Sequence, residues 1–247
     1  MHAAWGDASS GDLRPAGRGD PGEALLSWAD QALRSDRALR SDQMPHLRWM
    51  AQVHGAKVLV TGVAGDAAGL ARPTGRPVGR GTPVACSGLG DALVSTTPEL
   101  AIAVLTADCA SIALGSSEGV FAAVHAGWRG LVAGVVGRAV ATMRELGATE
   151  VVGALGPCIH GECYEFSEAD LAEVAARCGE GVRGRTSDGR PALDLPAAVA
   201  ASLAACGVGL VPGRDACTAC DPGYYSHRAR GDRGRQALLV WSDQTAS

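Results

Sequence analysis

Apolar positions along this chain fall into two periods. Glu23 to Arg40 carries Leu25, Leu26, Trp28, Leu33 and Leu39 at helical spacing, which predicts an amphipathic helix. Leu47 to Val63 alternates instead, in strand-like stretches on either side of His54. Residues 62–83 are dense in Gly, Pro and Arg and have no apolar period, so a long surface loop is expected there. From Ala92 onward the apolar runs are short: 92–95, 100–105, 111–114 and 120–124. They are too short for independent helices and suit strands of a buried sheet. Gly130 to Leu146 returns to a helical period through Leu131, Val135, Ala139 and Met143, and stops at Gly147. Val151 to Leu155 reads as a strand ending at Gly156-Pro157. Ser167 to Cys178 reads as a helix, with Ser167 as N-cap and Asp170 in an acidic first turn. Asp194 opens another helix, with Pro196 in its first turn and Gly207 beyond its end. Gln236 to Trp241 is a closing strand. Strands alternating with helices predict a layered α/β domain with both sheet faces covered. Residues 1–21 read as a flexible N-terminal arm, and 22–247 as one domain.

Composition narrows the function classes. At 247 residues, with 47% hydrophobic and 19% charged side chains, the chain is an ordinary globular mixture with room for a sizeable core. A net charge of −4 gives no reason to expect nucleic acid or an anionic membrane as partner. Lys57 is the only lysine; the other basic residues are arginines, a bias that accompanies the abundance of Ala and Gly. No apolar run is long enough to span a membrane. The polar, Gly-rich start does not read as a secretory signal, so a cytoplasmic location is expected. The eight cysteines are then expected to be reduced, serving packing, metal binding or catalysis.

Cys109 and His125 each stand at the end of an apolar, strand-like run, sixteen residues apart, and His54 lies upstream in Gln52-Val53-His54-Gly55. Two imidazoles and a thiolate form a three-ligand set for zinc with an open fourth position, the pattern of a catalytic site. The close ligand pairs of a zinc finger are absent, and spacing alone leaves open that each is an ordinary core or surface residue. Asp108, beside Cys109, is a candidate general acid/base or a carboxylate orienting a ligand histidine; a turn aspartate would look the same. In His125-Ala126-Gly127-Trp128-Arg129-Gly130 the glycines allow close backbone approach, and the following helix start with Arg129 suits an anion, although a plain strand-to-helix turn would read alike. Cys158, His160 and Cys163 are weak candidates for a second metal site. Cys217 and Cys220 form a CxxC with no second pair to complete a zinc ribbon, and it reads as incidental. The basic, aromatic stretch 224–236, with Arg228, is a candidate for phosphate and base contacts, equally readable as a solvated loop.

Together these segments resemble the laccase-domain family, whose members have been called multicopper polyphenol oxidases, purine nucleoside phosphorylases and peptidoglycan editing factors. The matching pieces are Gln52 to Gly55, Gly90 to Val94, Thr106 to Cys109, Val124 to Gly130, Gly156-Pro157 with Tyr164-Glu165, and Ser226 to Arg228 with Gly234-Arg235. Segment 1–20 departs from the family's usual N-terminal pattern. The resemblance implies a three-layer α/β/α fold with a mixed sheet, and Zn2+ (copper less so) held by His54, Cys109 and His125. It also implies phosphorolysis of adenosine, inosine or methylthioadenosine, and adenosine deamination. On that basis Asp108 and Arg129 are the expected catalytic residues, and Gln52, Arg129, Tyr164 and Arg228 the expected contacts to purine nucleoside and inorganic phosphate.

Other readings use the same residues. Cys109 and His125 could be the nucleophile and base of a Cys–His hydrolase or a peptidoglycan-precursor editing enzyme. A copper phenol oxidase needs more well-placed histidines than six in total allow. A catalytically weakened interaction protein could keep the fold.

Overall fold

Two mixed β-sheets packed face to face hold the chain together in the computed structural model, which describes residues 1–13, 23–35, 45–62, 84–98 and 100–242. In chain order the elements begin β1 (His2–Trp5), α1 (Glu23–Ser35), β2 (His46–Ala51), β3 (Val58–Val60), β4 (Val84–Leu89), β5 (Ala92–Ser95), β6 (Leu100–Thr106), β7 (Ala110–Ser116) and β8 (Phe121–Ala126). They continue α2 (Trp128–Ala133), α3 (Val135–Glu145), β9 (Val151–Leu155), α4 (Glu168–Cys178), β10 (Arg183–Arg185), β11 (Pro191–Leu193), α5 (Leu195–Ala204), β12 (Gly209–Leu210), α6 (His227–Arg230) and β13 (Gln236–Trp241). One sheet runs β1-β13-β6-β2-β4, the other β12-β9-β7-β8-β5-β3, and β10-β11 form a separate ribbon.

Side-chain alternation explains the stacking. In β6, Leu100, Ile102 and Val104 face the second sheet, while Ala101, Ala103 and Leu105 face outward onto α1. In β8, Phe121 and Ala123 point between the sheets, and Ala122, Val124 and Ala126 point to the helices on the far side. Strands buried on both faces need near-continuous apolar sequence, which is why these runs were legible. Burying one such large side chain contributes about 1.5–3 kcal/mol. α1 presents Leu25, Ala29 and Leu33 to Leu47, Ala103 and Leu239. α2 to α5 cover the opposite outer face.

The α/β class, the mixed pairing and the single domain are as expected. The central layer of the expected α/β/α arrangement is itself double, with a core of its own between the sheets. Two further expectations change. His2–Trp5 pair with β13, His2 opposite Trp241, and Leu13 is fully buried with its N–H on the Arg235 carbonyl. The first 13 residues are therefore part of the sheet and core rather than a flexible arm. The helix expected over 130–146 is two helices, because Gly134 turns left-handed at φ 83°, a conformation glycine adopts without steric cost. The loop expected at 62–83 lies outside the described residues from position 63 onward, as does Leu39.

The predicted cap Ser167 is present, and Asp194, where the next helix was expected to open, caps it as well. Ser167 accepts from the Asp170 N–H at the start of α4, and Asp194 from the Ala197 N–H at the start of α5; such caps contribute about 1 kcal/mol each.

Candidate metal centre

Strand register brings Cys109 to His125. β7 and β8 are antiparallel with Ser111 opposite His125 and Ala110 opposite Ala126. Cys109 lies two residues before Ser111, so all three side chains share one face. The face is the one turned toward the other sheet, at the edge of the sandwich. His54 arrives from the turn between β2 and β3. One ligand atom from each of His54, Cys109 and His125 lies within 4.8 Å of the others. The two imidazole rings meet edge-on, 4.8 Å between centroids.

Asp91, fully buried at the start of β5, organises the set. Its Oδ1 accepts from the N–H groups of Val53 at 3.1 Å and His54 at 2.8 Å, and its Oδ2 from that of Gly55 at 2.7 Å. Three successive N–H groups converging on one carboxylate form an anion nest, which holds His54 at its left-handed φ of 58°. The same carboxylate takes His125 Nδ1 at 2.9 Å, leaving Nε2 for a metal in the carboxylate–histidine–metal arrangement. The orienting role expected of Asp108 therefore belongs to Asp91. Burial works against an ionised Asp91, but the His125 hydrogen bond and the backbone donors outweigh it and hold the carboxyl below its usual range.

The charges match a divalent cation. Burial alone would raise the Cys109 thiol; the adjacent His125 cation and hydrogen bonds from both histidines bring it down to about 6. Burial would lower His125, yet the Cys109 thiolate and Asp91 raise it to about 9. Two imidazoles and a ready thiolate, one imidazole oriented from behind, are donors that zinc accepts.

Two glycines of the 125–130 segment have steric causes. A Cβ at Gly127 would stand 3.0 Å from Cys109 Sγ, and one at Gly130 would stand 3.0 Å from the Gly55 carbonyl. The start of α2 thus packs directly against Cys109 and the turn that carries His54.

The centre opens into a cleft of about 700 Å³ lined by Gln52, Asp108, Trp128, Arg129, Tyr164, His227, Arg228 and Arg235, among others, a size suited to a small-molecule ligand. Every residue expected at the site lines it. Their engagements differ. Gln52 uses both ends of its amide on the Leu105 backbone, at 2.7 and 2.8 Å, continuing the β2–β6 ladder where β2 turns away. Asp108, at φ 87°, accepts from Thr218 Oγ1 at 2.7 Å and the Arg228 N–H at 2.6 Å, so its carboxylate fixes two wall segments. Arg129 is exposed, its guanidinium 4.3 Å from the Trp128 ring centre. Arg228 lies 4.7 Å over the Tyr164 ring and donates to the Glu165 carbonyl at 2.8 Å. Burial, then the Cys109 thiolate, pushes the Tyr164 phenol up, so it stays a donor. Cys158 and His160 contribute no ligand atom to either of the metal-competent clusters among the described residues.

Sequence reasoning gave Asp91 no role, although an aspartate immediately before the apolar run 92–94 was the available signal. His227 was likewise unassigned. Among the described residues no helix is long and apolar enough to cross a membrane.

Residues 29–243 match the family described as multi-copper polyphenol oxidoreductase laccase, and the chain belongs to that family. It is 42% identical over 198 residues to a purine nucleoside phosphorylase of Streptomyces coelicolor, covering 79% of this chain and 74% of that one. It is 38% identical over 246 residues to one of Streptomyces griseus, covering 97% and 92%. The crystal structure of a Neisseria meningitidis protein of the DUF152 family superposes with a TM-score of 0.70 at 26% identity, covering 94% of this chain and 86% of that one.

Proposed function

We propose that this chain is a zinc-dependent purine nucleoside phosphorylase that cleaves adenosine, inosine or methylthioadenosine with phosphate and also deaminates adenosine. The observation that carries the reading is the His54–Cys109–His125 set, oriented by Asp91 and open to a cleft lined by three arginines and a buried tyrosine. The names of the Streptomyces relatives support it.

In phosphorolysis the C1′–N9 bond breaks, a phosphate oxygen bonds to C1′, and the purine leaves with the bonding pair and takes a proton. Arg129 and Arg228 hold the phosphate; a guanidinium fork suits that anion. Trp128 supplies an aromatic wall, and Tyr164 donates its hydroxyl to the substrate. Asp108 keeps α6, and with it Arg228, against the cleft. Deamination replaces the adenine C6 amine by water and releases ammonia. His54, Cys109 and His125 would hold zinc, which would supply Lewis acidity for lowering the pKa of a water.

The test is incubation of metal-replete protein with adenosine, with and without phosphate, and separation of the products. Adenine with ribose 1-phosphate in the phosphate arm, and inosine in both, are expected. No consumption of nucleoside in either arm overturns the reading. Metal analysis of the same preparation separates zinc from copper, since two imidazoles and a thiolate also serve blue-copper centres. Copper would favour the oxidase reading.

A further inference from the structure

We propose that Cys163, Cys217, Cys220 and Glu162 form a second, structural zinc site behind the wall of the cleft. The four residues come from two loops more than fifty positions apart. Glu162 and Cys163 belong to the short turn 161–163 that follows Pro157, and Cys217 and Cys220 to the loop before α6. Their ligand atoms all lie within 4.8 Å of one another. Cys163 Sγ is 3.1 Å from Cys220 Sγ, and Cys220 Sγ is 3.7 Å from Glu162 Oε1. Three sulfurs and one oxygen make a closed, four-coordinate set, the signature of a structural rather than a catalytic zinc.

Two donor groups flank the set from outside. The backbone N–H of His160 points at Cys217 Sγ at 3.4 Å, as outer-shell donors do at metal thiolates. Arg230 brings its guanidinium to the carbonyls of Thr218 and Ala219 at 3.1 and 2.9 Å, setting a positive charge beside an anionic ligand set. The sulfurs of Cys163 and Cys220 stand well beyond a disulfide bond of about 2.05 Å. Binding releases the thiol protons to solvent.

The position gives the site a purpose. Cys163 precedes Tyr164, and Cys217 precedes Thr218, whose hydroxyl holds Asp108. The two loops already touch through Cys158 N–H to the Ala216 carbonyl at 3.2 Å and Thr218 N–H to the Cys158 carbonyl at 3.0 Å. A zinc here clamps the loop that carries Tyr164 to the loop that fixes Asp108, setting the shape of the cleft from behind.

The test uses the full chain, purified without added reductant, with zinc counted by elemental analysis. Wild type should carry about two zinc ions per chain, and Cys109→Ala and Cys220→Ser about one each. Cys220 is exposed, so its serine variant should fold; the zinc it retains at the first site is its own folding control. Chelation should lower the melting temperature of Cys109→Ala but not that of the Cys109→Ala/Cys220→Ser double variant. Wild-type zinc content in Cys220→Ser overturns the proposal. So does a Cys163–Cys220 disulfide found by mass mapping in protein whose zinc does not respond to Cys220→Ser. A single zinc that Cys220→Ser removes and Cys109→Ala keeps would uphold this site while removing the first one.

Discussion

Replacing Asp91 by asparagine is the sharpest probe of the first centre, because one carboxylate serves both the histidine and the turn. Asparagine keeps one acceptor oxygen. Placed where Oδ1 stands, it still receives Val53, His54 and His125. Its amide group then faces the Gly55 N–H, donor against donor, where Oδ2 accepted at 2.7 Å. Leaving the buried carboxamide N–H facing that half-buried donor, both unsatisfied, costs about 1–3 kcal/mol. At this chain length that lowers the melting temperature of metal-free protein by roughly 2–12 °C. Loss of the charge behind His125 also weakens zinc binding, by about 10–100-fold for an outer-shell partner, equal to about 1.4–2.8 kcal/mol. Competition with a chromogenic chelator measures the second effect, and thermal melts after metal removal measure the first. The ion is also linked to acid stability. Because the folded carboxyl is held below its usual value, its contribution is fully present above about pH 3.9 and is lost as pH falls through the folded value. The asparagine variant should lack that dependence. Wild-type zinc affinity in Asp91→Asn, with an unchanged melt, would refute the role assigned to this residue.

Three further outcomes follow from the same geometry. Arg129→Lys should raise the phosphate requirement for nucleoside cleavage about tenfold or more, or about 1.4 kcal/mol, and slow deamination less; equal loss of both activities would assign Arg129 to the fold or the nucleoside instead. In metal-free protein Cys109 should alkylate with a midpoint near the lowered value of about 6, against an ordinary thiol near 8.5, and zinc should block the reaction; rapid alkylation of metal-replete protein would favour the nucleophile reading. Gly127→Ala places a Cβ 3.0 Å from Cys109 Sγ and 3.4 Å from His54 Cδ2, so it should weaken zinc at least tenfold while leaving the secondary structure seen by circular dichroism intact. Unchanged affinity would mean that the helix start yields without moving the ligands.

What the sequence showed and what it hid have one physical boundary. β6, β8 and β13 were legible because strands covered on both faces read as unbroken apolar runs. β1 was not, because His-Ala-Ala-Trp becomes a strand only by pairing at the edge beside β13. The β10-β11 ribbon, Arg-Gly-Arg against Pro-Ala-Leu, has no alternation to read. The three candidate metal ligands were recognisable as residue types and by family resemblance. Their convergence depends on the β7–β8 register, which no local pattern encodes. Cys217 and Cys220 looked incidental for the same reason: their partners Glu162 and Cys163 sit on another loop, and only the folded chain closes the set.

Among the described residues two non-glycines have positive φ, His54 at 58° and Asp108 at 87°; both line this cleft, and each such conformation costs about 1–3 kcal/mol. The structure holds each in place with a buried carboxylate. Asp91 gathers the N–H groups of 53–55, which keeps the His54 backbone turned toward Cys109. Asp108 fastens itself to Thr218 and to the first residues of α6, so the bend before Cys109 also fixes where Arg228 enters the cleft. The candidate metal ligand His54 and the cleft arginine Arg228 are thereby each placed by a carboxylate-held backbone turn. Relaxing the His54 turn would move a candidate ligand, and relaxing the Asp108 turn would move Cys109 and the wall that carries Arg228, so both turns bear on the same cleft.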